Sequence, residues 1–314
     1  MKKSDFIERS VIKEVYEKPL FSLIREATIV HKSSFPEKEL FVNTLISYKT
    51  GGCGEDCAYC AQSSRNRKNP MKAVYLSADD IIEEAGEAKK SGAGRVCISA
   101  SWRRVPDNEE FEMILAAGER IREMGLEVCA TLGTISDLQL KRIQDAGFSA
   151  YNHNLDTSEK YYHEIISTRT YAERLDTILR VQNSGMNCCS GGIIGMGESH
   201  DDRIDMLHAL ADREIPLFTV PLNVLVPIPG TPLENVEPIG FWDLLRVIAT
   251  ARIIMPESRI CLAAGRTDMT EEQQTLCFMV GVNAVFAGDK LLTTENTDLT
   301  KDKKLFEKLD LKTS

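Results

Sequence analysis

The chain has no long apolar run and no excess of positive charge. A membrane-spanning helix needs about 20 consecutive apolar residues, and no stretch of this 314-residue chain approaches that length. The net charge of -9 and the pI near 5.3 argue against a nucleic-acid-binding surface. The charged start of the chain has no apolar core typical of a signal peptide. We therefore expect a cytoplasmic protein that binds neither membrane nor nucleic acid.

Cysteine, by contrast, is abundant. The chain has nine cysteines, although its 43% hydrophobic and 27% charged residues are typical of an ordinary folded protein. In a chain without a secretion signal, this number favours metal binding or catalysis over disulfides. The length suits either two domains or one large α/β barrel.

Three of the cysteines form a compact C-x3-C-x2-C motif. Cys53, Cys57 and Cys60 follow a glycine pair, and no fourth cysteine or histidine lies nearby. A closed zinc site or a ferredoxin-type cluster would normally take a fourth ligand. Three thiolates on a [4Fe–4S] cluster would instead leave one iron open for a ligand. A structural zinc knuckle and three unrelated cysteines are the alternatives.

From residue 39 onward, short apolar strands alternate with amphipathic helices. Eight such units predict a closed (β/α)8 TIM-type barrel with an N-terminal helical extension, and a doubly wound open sheet is the alternative. We expect a single domain over 1–314, with helices in 1–38, the barrel in 39–290 and a tail helix in 291–314. The predicted strands are 41–48, 95–100, 127–132, 149–154, 187–194, 217–224, 259–264 and 283–287.

Four further cysteines lie on four different predicted strands. They are Cys97, Cys129, Cys189 and Cys261. Side chains alternate between the inside and the outside of a barrel, so all four can point inward and form a second, all-thiolate metal site. The alternative is that they fill the core as small apolar residues. Neighbouring Cys188 should point the other way, and helical Cys277 should be core.

Polar residues at the end of the fourth strand are candidates for ligand binding. Asn152, Asn154 and Asp156 recur at period two, which predicts that they face the same way. Active sites of such barrels gather at the carboxyl ends of the strands, so these residues either bind a ligand or tie loops together. Asn223 on the sixth strand is a weaker candidate.

The sequence motifs of this chain resemble those of a known family. The three-cysteine motif is similar to that of radical S-adenosylmethionine enzymes, with Tyr59 at the usual aromatic position. From about residue 40 to 310 the chain more closely resembles the biotin synthase family. The stretches that carry this resemblance are 49–53, 131–134, 151–158, 189–193, 230–233 and 290–294.

The resemblance implies a radical sulfur-insertion reaction, a sulfurtransferase activity. Cys53, Cys57 and Cys60 would hold a [4Fe–4S] cluster that binds and cleaves S-adenosylmethionine. The resulting 5′-deoxyadenosyl radical would abstract hydrogens from dethiobiotin, and an auxiliary iron–sulfur cluster would supply the sulfur of biotin. The resemblance also implies a homodimer and a reductant such as flavodoxin or ferredoxin.

The resemblance further assigns binding roles to individual residues. Those matched to S-adenosylmethionine are Tyr59, Asn154, Asp156 and Arg174. Those matched to dethiobiotin are Asn152 and Asn223, with Thr293 and Thr294 near its carboxylate tail.

One position departs from the family pattern. Well-known members bind a [2Fe–2S] auxiliary cluster through three cysteines and an arginine, and the arginine position is Cys261 here. Four thiolates suit either [2Fe–2S] or [4Fe–4S], and we expect a four-iron type. A related radical enzyme, similar to methylornithine synthase or to a hydrogenase maturase, and a non-enzymatic iron–sulfur electron carrier are the alternative functions.

Overall fold

A computed structural model of the protein describes residues 6–35, 39–66, 70–297 and 299–313. The helices are α1 Arg9–Glu17, α2 Leu20–Ser34, α3 Ala78–Lys90, α4 Glu109–Glu123, α5 Asp137–Asp145, α6 Glu159–Ile165, α7 Tyr171–Asn183, α8 His200–Ala211, α9 Phe241–Ile254, α10 Glu271–Val280 and α11 Leu299–Lys308. The strands are β1 Glu39–Thr50, β2 Val74–Tyr75, β3 Arg95–Ala100, β4 Glu127–Thr131, β5 Ala150–Asn152, β6 Asn187–Cys189, β7 Gly192–Ile194, β8 Thr219–Val224, β9 Arg259–Leu262, β10 Val282–Phe286, β11 Lys290–Leu291, β12 Thr294–Glu295 and β13 Lys312–Thr313.

Eight of these strands close into a parallel barrel. Their order is β1, β3, β4, β5, β6, β8, β9 and β10, with β7 continuing the β6 position beside β8. The last strand returns to the first, with Phe41 paired to Ala284 and Asn43 paired to Phe286. The predicted (β/α)8 barrel is confirmed, and the open sheet is wrong.

Five of the described helices begin at a side-chain cap of one kind. Ser77, Ser136, Thr170, Ser199 and Thr270 each form a capping box, in which the cap hydroxyl and the third helical residue satisfy each other's free backbone N–H groups. Four of these boxes begin the first α-helix after the carboxyl end of a strand, and the Thr170 box begins α7 after α6. The caps therefore fix where the loops of the active face end.

The N-terminal helices cover one side of the barrel. Helix α1 packs against α8 and α9, and α2 packs against α9 and α10. At the amino end of the barrel, β13 pairs with the first residues of β1. Among the described residues, no helix is both long and apolar enough to cross a membrane.

Most of the predicted strands differ from the observed ones by one or two residues at an end, and two of the differences bear on the site. The fourth strand ends at Asn152 rather than at residue 154. The fifth is split at Ser190–Gly191, where a Cβ on Gly191 would lie 1.9 Å from the Pro221 carbonyl oxygen. Helix α6 was not predicted. It begins where the Ser158 hydroxyl accepts a hydrogen bond from the backbone N–H of Tyr161.

Candidate active site

The three-cysteine loop is closed by backbone hydrogen bonds just after β1. The N–H of Cys53 donates to the Gln62 carbonyl and the N–H of Ser64 donates to the Cys53 carbonyl, both at 2.9 Å. The N–H of Cys60 donates to the Cys57 carbonyl at 2.9 Å, which turns the loop back on itself. These bonds gather the three thiols at the carboxyl end of the first barrel strand.

Asp56 ties this loop to the segment between α6 and α7. Its carboxylate accepts the N–H groups of Ser167 and Thr168 at 3.0 and 3.1 Å, and also both of their hydroxyls. Partial burial opposes ionisation, but these hydrogen bonds outweigh it and lower the pKa of Asp56 to about 2. The loop is therefore held by a carboxylate that is ionised at neutral pH.

Glu55 adds a buried ion pair to the contacts that tie the cysteine loop to the segment between α6 and α7. Its Oε1 lies 2.8 Å from a guanidinium nitrogen of Arg169 and 3.1 Å from Nε of Arg103. Both Glu55 and Arg169 are buried. Charge-assisted pairs of this kind fix geometry more firmly than neutral hydrogen bonds do.

Burial keeps two of the loop thiols, Cys57 and Cys60, protonated in the absence of a metal. Burial raises the pKa of Cys57 well above its ordinary value and raises that of Cys60 to about 11. A metal or cluster needs thiolates, so loading must displace these protons. The cysteine loop therefore suits a group that supplies strong positive charge.

The strand register turns the second cysteine set toward the barrel axis. Cys97 pairs directly with Cys129, and Cys129 pairs with Ala150. Cys189 pairs with Asn152 and Thr219, and Cys261 pairs with Pro221. Paired residues of parallel neighbours face the same way and side chains alternate along each strand. All four thiols thus lie on the inward face.

Contacts bring three of these thiols together and place the fourth beside them. Cys97, Cys129 and Cys189 share one buried cluster, and Cys261 belongs to the adjoining one. Leu45 and Phe286 pack against both clusters. Burial raises the pKa of Cys261 to about 12. As predicted, Cys188 and Cys277 lie in the main core.

Arg95 is a cation beside these thiols that the sequence analysis missed. It is 4% exposed and its Nε donates to Glu127 at 2.9 Å. Burial lowers the pKa of Arg95, but nearby Cys189, Cys129 and Cys97 outweigh it and raise that pKa. Its position two residues before Cys97 is the signal that would have found it, because it shares the inward face.

One cavity of about 340 Å³ connects the two cysteine sets. This volume suits a small-molecule ligand. Eleven of the predicted site residues line it: Tyr59, Cys60, Cys97, Cys129, Asn152, Asn154, Asp156, Cys189, Asn223, Thr293 and Thr294. Of the remaining four, Cys57, Arg174 and Cys261 are buried and Cys53 is partly buried.

Asp156 is the polar centre of the part of the cavity beside Tyr59 and Cys60, which we call the upper cavity. Its Oδ2 accepts the Tyr59 hydroxyl at 2.8 Å and lies 2.6 Å from the Arg174 guanidinium. Arg174 also donates to the Asn154 carbonyl at 2.9 Å. Three of the residues predicted to bind S-adenosylmethionine are thus joined through one carboxylate.

The reason given for grouping Asn152, Asn154 and Asp156 is wrong, although all three line the cavity. The strand ends at Asn152, and Asp156 has a left-handed backbone with φ 68°. Close packing on Gly191 holds this segment instead. The N–H of Gly191 donates to Asn154 Oδ1 at 3.1 Å, and its carbonyl accepts the N–H of Leu155 at 3.0 Å.

The other polar residues of the cavity differ in how many of their hydrogen-bonding groups already have a partner in the protein. Asn223 donates to the Gly192 carbonyl and accepts from Ala264 N–H, both at 3.3 Å, which is longer than the usual 2.9–3.0 Å. Asn152 has no side-chain hydrogen bond to the described residues. The Thr294 hydroxyl donates to the Leu291 carbonyl at 3.0 Å. Asn152 therefore has the most hydrogen-bonding capacity left for a ligand.

The donor sets fit iron–sulfur clusters better than a single metal ion. Within the described part of the chain, no three His, Cys, Asp or Glu side chains are arranged to hold one metal ion. A cluster spreads its thiolate ligands over several metals, so its cysteines need not meet at one point. Seven inward or loop thiols supply the soft ligands that iron–sulfur clusters use.

Two family models match consecutive parts of the chain. The Radical SAM superfamily matches residues 47–210, and the Biotin and Thiamin Synthesis associated domain matches residues 221–312. The biotin synthase of Chlamydia pneumoniae is 49% identical over 96% of this chain and 91% of its own length. That of Cytophaga hutchinsonii is 46% identical over 96% of this chain and 89% of its own.

Solved structures with this fold are more distant in sequence. A methylornithine synthase superposes with a TM-score of 0.81 at 17% identity, covering 99% of this chain and 95% of that one. An FeFe-hydrogenase maturase from Carboxydothermus hydrogenoformans superposes with a TM-score of 0.83 at 14% identity, covering 99% and 76%. At these identities the likeness shows the fold alone.

We predict that Asp56→Asn destabilises the folded protein by about 1–3 kcal/mol at neutral pH, because it removes hydrogen bonds to a charged group. The pKa of folded Asp56 lies below its ordinary value of 3.8, so its contribution is full above that value and is lost as the pH falls toward 2. Urea unfolding of both proteins at several pH values measures this. Asp145→Asn, at an exposed i,i+4 pair, is the control and should change little. A pH-independent difference would contradict the prediction.

Proposed function

The chain belongs to the biotin synthase family, and on that premise we propose that it converts dethiobiotin to biotin by radical sulfur insertion. The observation that carries this proposal is the cavity that connects the three-thiol loop to the inward-facing thiols of the barrel strands. When bound, the loop cluster with S-adenosylmethionine supplies one-electron radical chemistry, and the auxiliary cluster supplies sulfur.

The residues around the upper cavity would hold S-adenosylmethionine. Cys53, Cys57 and Cys60 would bind the [4Fe–4S] cluster and leave one iron for this cosubstrate. Asp156 and Asn154 would bind its ribose, because both line the cavity on the side of the cysteine loop. Tyr59 and Arg174 hold the Asp156 carboxylate at 2.8 and 2.6 Å, and so would fix its orientation.

The rest of the cavity, which we call the lower cavity, would hold dethiobiotin between the two clusters. Asn152 and Asn223 present amides that match the hydrogen-bonding needs of its ureido ring. Thr293 and Thr294 also line the cavity and would receive the carboxylate tail. Enclosure by the barrel would keep water and stray hydrogen donors away from a radical.

Four thiolates would bind the auxiliary cluster, and we favour a four-iron type over [2Fe–2S]. Support comes from the inward register of Cys97, Cys129, Cys189 and Cys261. Arg95 would compensate part of the negative charge of such a cluster, since it lies among three of the thiols. Fully buried charge needs a partner of this kind.

Four wider properties are part of the same proposal. We place the chain as one catalytic domain over 1–314, acting as a homodimer and reduced by flavodoxin or ferredoxin. The exposed apolar side chains Phe21 and Ile29 on α2, 86% and 63% exposed, support a contact between copies at that helix. Thiolate-bound clusters require a reducing compartment, which supports the cytoplasm.

The alternatives are less well supported. The methylornithine synthase and the hydrogenase maturase share only the fold at 17% and 14% identity, whereas the biotin synthases reach 46–49% over nearly the whole chain. An electron carrier has no need for a ligand cavity of about 340 Å³ lined by amides and a carboxylate.

We expect the anaerobic, reduced protein to form 5′-deoxyadenosine and biotin from S-adenosylmethionine and dethiobiotin. Cys57→Ala should lose both products, and Cys189→Ala should lose biotin. Cys188→Ala is the matched control, because the adjacent thiol lies in the core, and it should retain both. Chromatography with mass detection measures the products. Deoxyadenosine without biotin in the wild type would support a related radical enzyme, and neither product would support an electron carrier.

We further predict about eight irons per chain after anaerobic reconstitution, because two four-iron clusters are bound. Cys261→Ala should alter the auxiliary Mössbauer signature, whereas Cys277→Ala, which removes a helical core thiol, should not. Iron and sulfide analysis with Mössbauer spectroscopy makes the measurement. About six irons with a [2Fe–2S] signature would contradict the four-iron assignment.

A further inference from the structure

A β-bulge lies directly opposite Cys261. Strands β9 and β10 pair Val282 with Ile260 and then Ala284 with Cys261, so Asn283 is an extra residue in the ladder. Bulges of this kind bend a strand and redirect its side chains, and they are frequent near active sites. Without the extra residue, Asn283 would lie opposite Cys261. The bulge therefore decides which β10 side chain faces the inward thiol.

The side chain of Asn283 completes the ladder at the bulge. It is 1% exposed, and its Oδ1 accepts the backbone N–H of Ile260 at 2.9 Å. Ile260 is the residue immediately before Cys261. The Nδ2 of Asn283 is buried and has no hydrogen-bond partner among the described residues. The side chain thus acts here through its oxygen alone.

Arg252 fixes both sides of this bulge. It is fully buried, and one guanidinium nitrogen donates to Asn283 Oδ1 at 3.0 Å. The same group donates to the Gly281 carbonyl at 2.7 Å and to the Ser258 carbonyl at 2.8 Å. Ser258 precedes β9 and Gly281 precedes β10. One side chain therefore ties the starts of both strands.

Among the residues that the structure describes, the groups that accept hydrogen bonds from Arg252 are all neutral. A buried cation without a carboxylate is costly, and a planar fork of five donors is what allows one residue to bind several carbonyls at fixed angles. Local helix stability does not require such a group at the end of α9. Its contacts specify the relative position of β9 and β10.

We propose that Arg252 and Asn283 are positioning residues for the auxiliary cluster, because they hold the bulged register that presents Cys261 beside Cys97, Cys129 and Cys189. The inference rests on the proposed function of Cys261 as a ligand. In this register the partner opposite Cys261 is Ala284, whose methyl group leaves space inside the barrel. The polar amide of Asn283 is kept out of that space.

The test compares two replacements of Asn283 after anaerobic reconstitution. Asn283→Leu keeps the branching at Cγ and the number of side-chain heavy atoms but removes the acceptor. Asn283→Asp keeps an acceptor for Ile260 and Arg252, and the amide nitrogen that it removes has no partner. Asn283→Leu should lose the auxiliary signature and retain the loop cluster, with about half of the wild-type iron. Asn283→Asp should keep the wild-type iron and Mössbauer signature.

Arg252→Lys provides a second arm that does not depend on the folding of Asn283→Leu. Lysine keeps the charge but lacks the fork, so this variant should also lose auxiliary iron selectively. The positioning role is overturned if Asn283→Leu and Arg252→Lys both keep the wild-type Mössbauer signature, or if both lose the loop cluster together with the auxiliary cluster. It is also overturned if Asn283→Asp behaves as Asn283→Leu does. An unchanged signature in Cys261→Ala would instead show that the proposed ligand role of Cys261 has failed, and the positioning role with it.

Discussion

The alternation of side chains along eight closed parallel strands is the constraint on which the site depends. Because a barrel must return to its first strand in register, the inward set on each strand is fixed by its neighbours. The pairing of Phe41 with Ala284 closes this circuit. A register slip by one residue at β3, β4, β6 or β9 would turn the inward thiol of that strand toward the helices.

The same constraint arranges the chemistry along the barrel axis. The loop after β1 carries three thiols to the open end, and the strands carry Cys97, Cys129 and Cys189 below it around one cavity. Arg259 lies at the start of β9, with its guanidinium carbon 3.4 Å from the centre of the Phe41 ring and 4.6 Å from the centre of the Phe218 ring. A substrate that enters from the loop side therefore meets the two thiol sets in turn.

Much of this arrangement could be predicted from the sequence, because local signals agree with the fold. Strand periodicity gave the barrel and the inward cysteines, and the motif gave the loop. The position of Asp156 could not be predicted, since its left-handed backbone depends on packing against Gly191. The contacts of Asn283 were equally hidden, because an Asn in a short strand gives no sign of a bulge.

The central claim is that the deeper thiols hold a cluster whose sulfur enters the product. The most direct measurement is a single turnover by protein reconstituted with isotopically heavy sulfide and then freed of unbound sulfide. The account predicts that the biotin formed carries the heavy sulfur, as seen by mass spectrometry. Biotin that carries only sulfur of natural isotopic composition would contradict it.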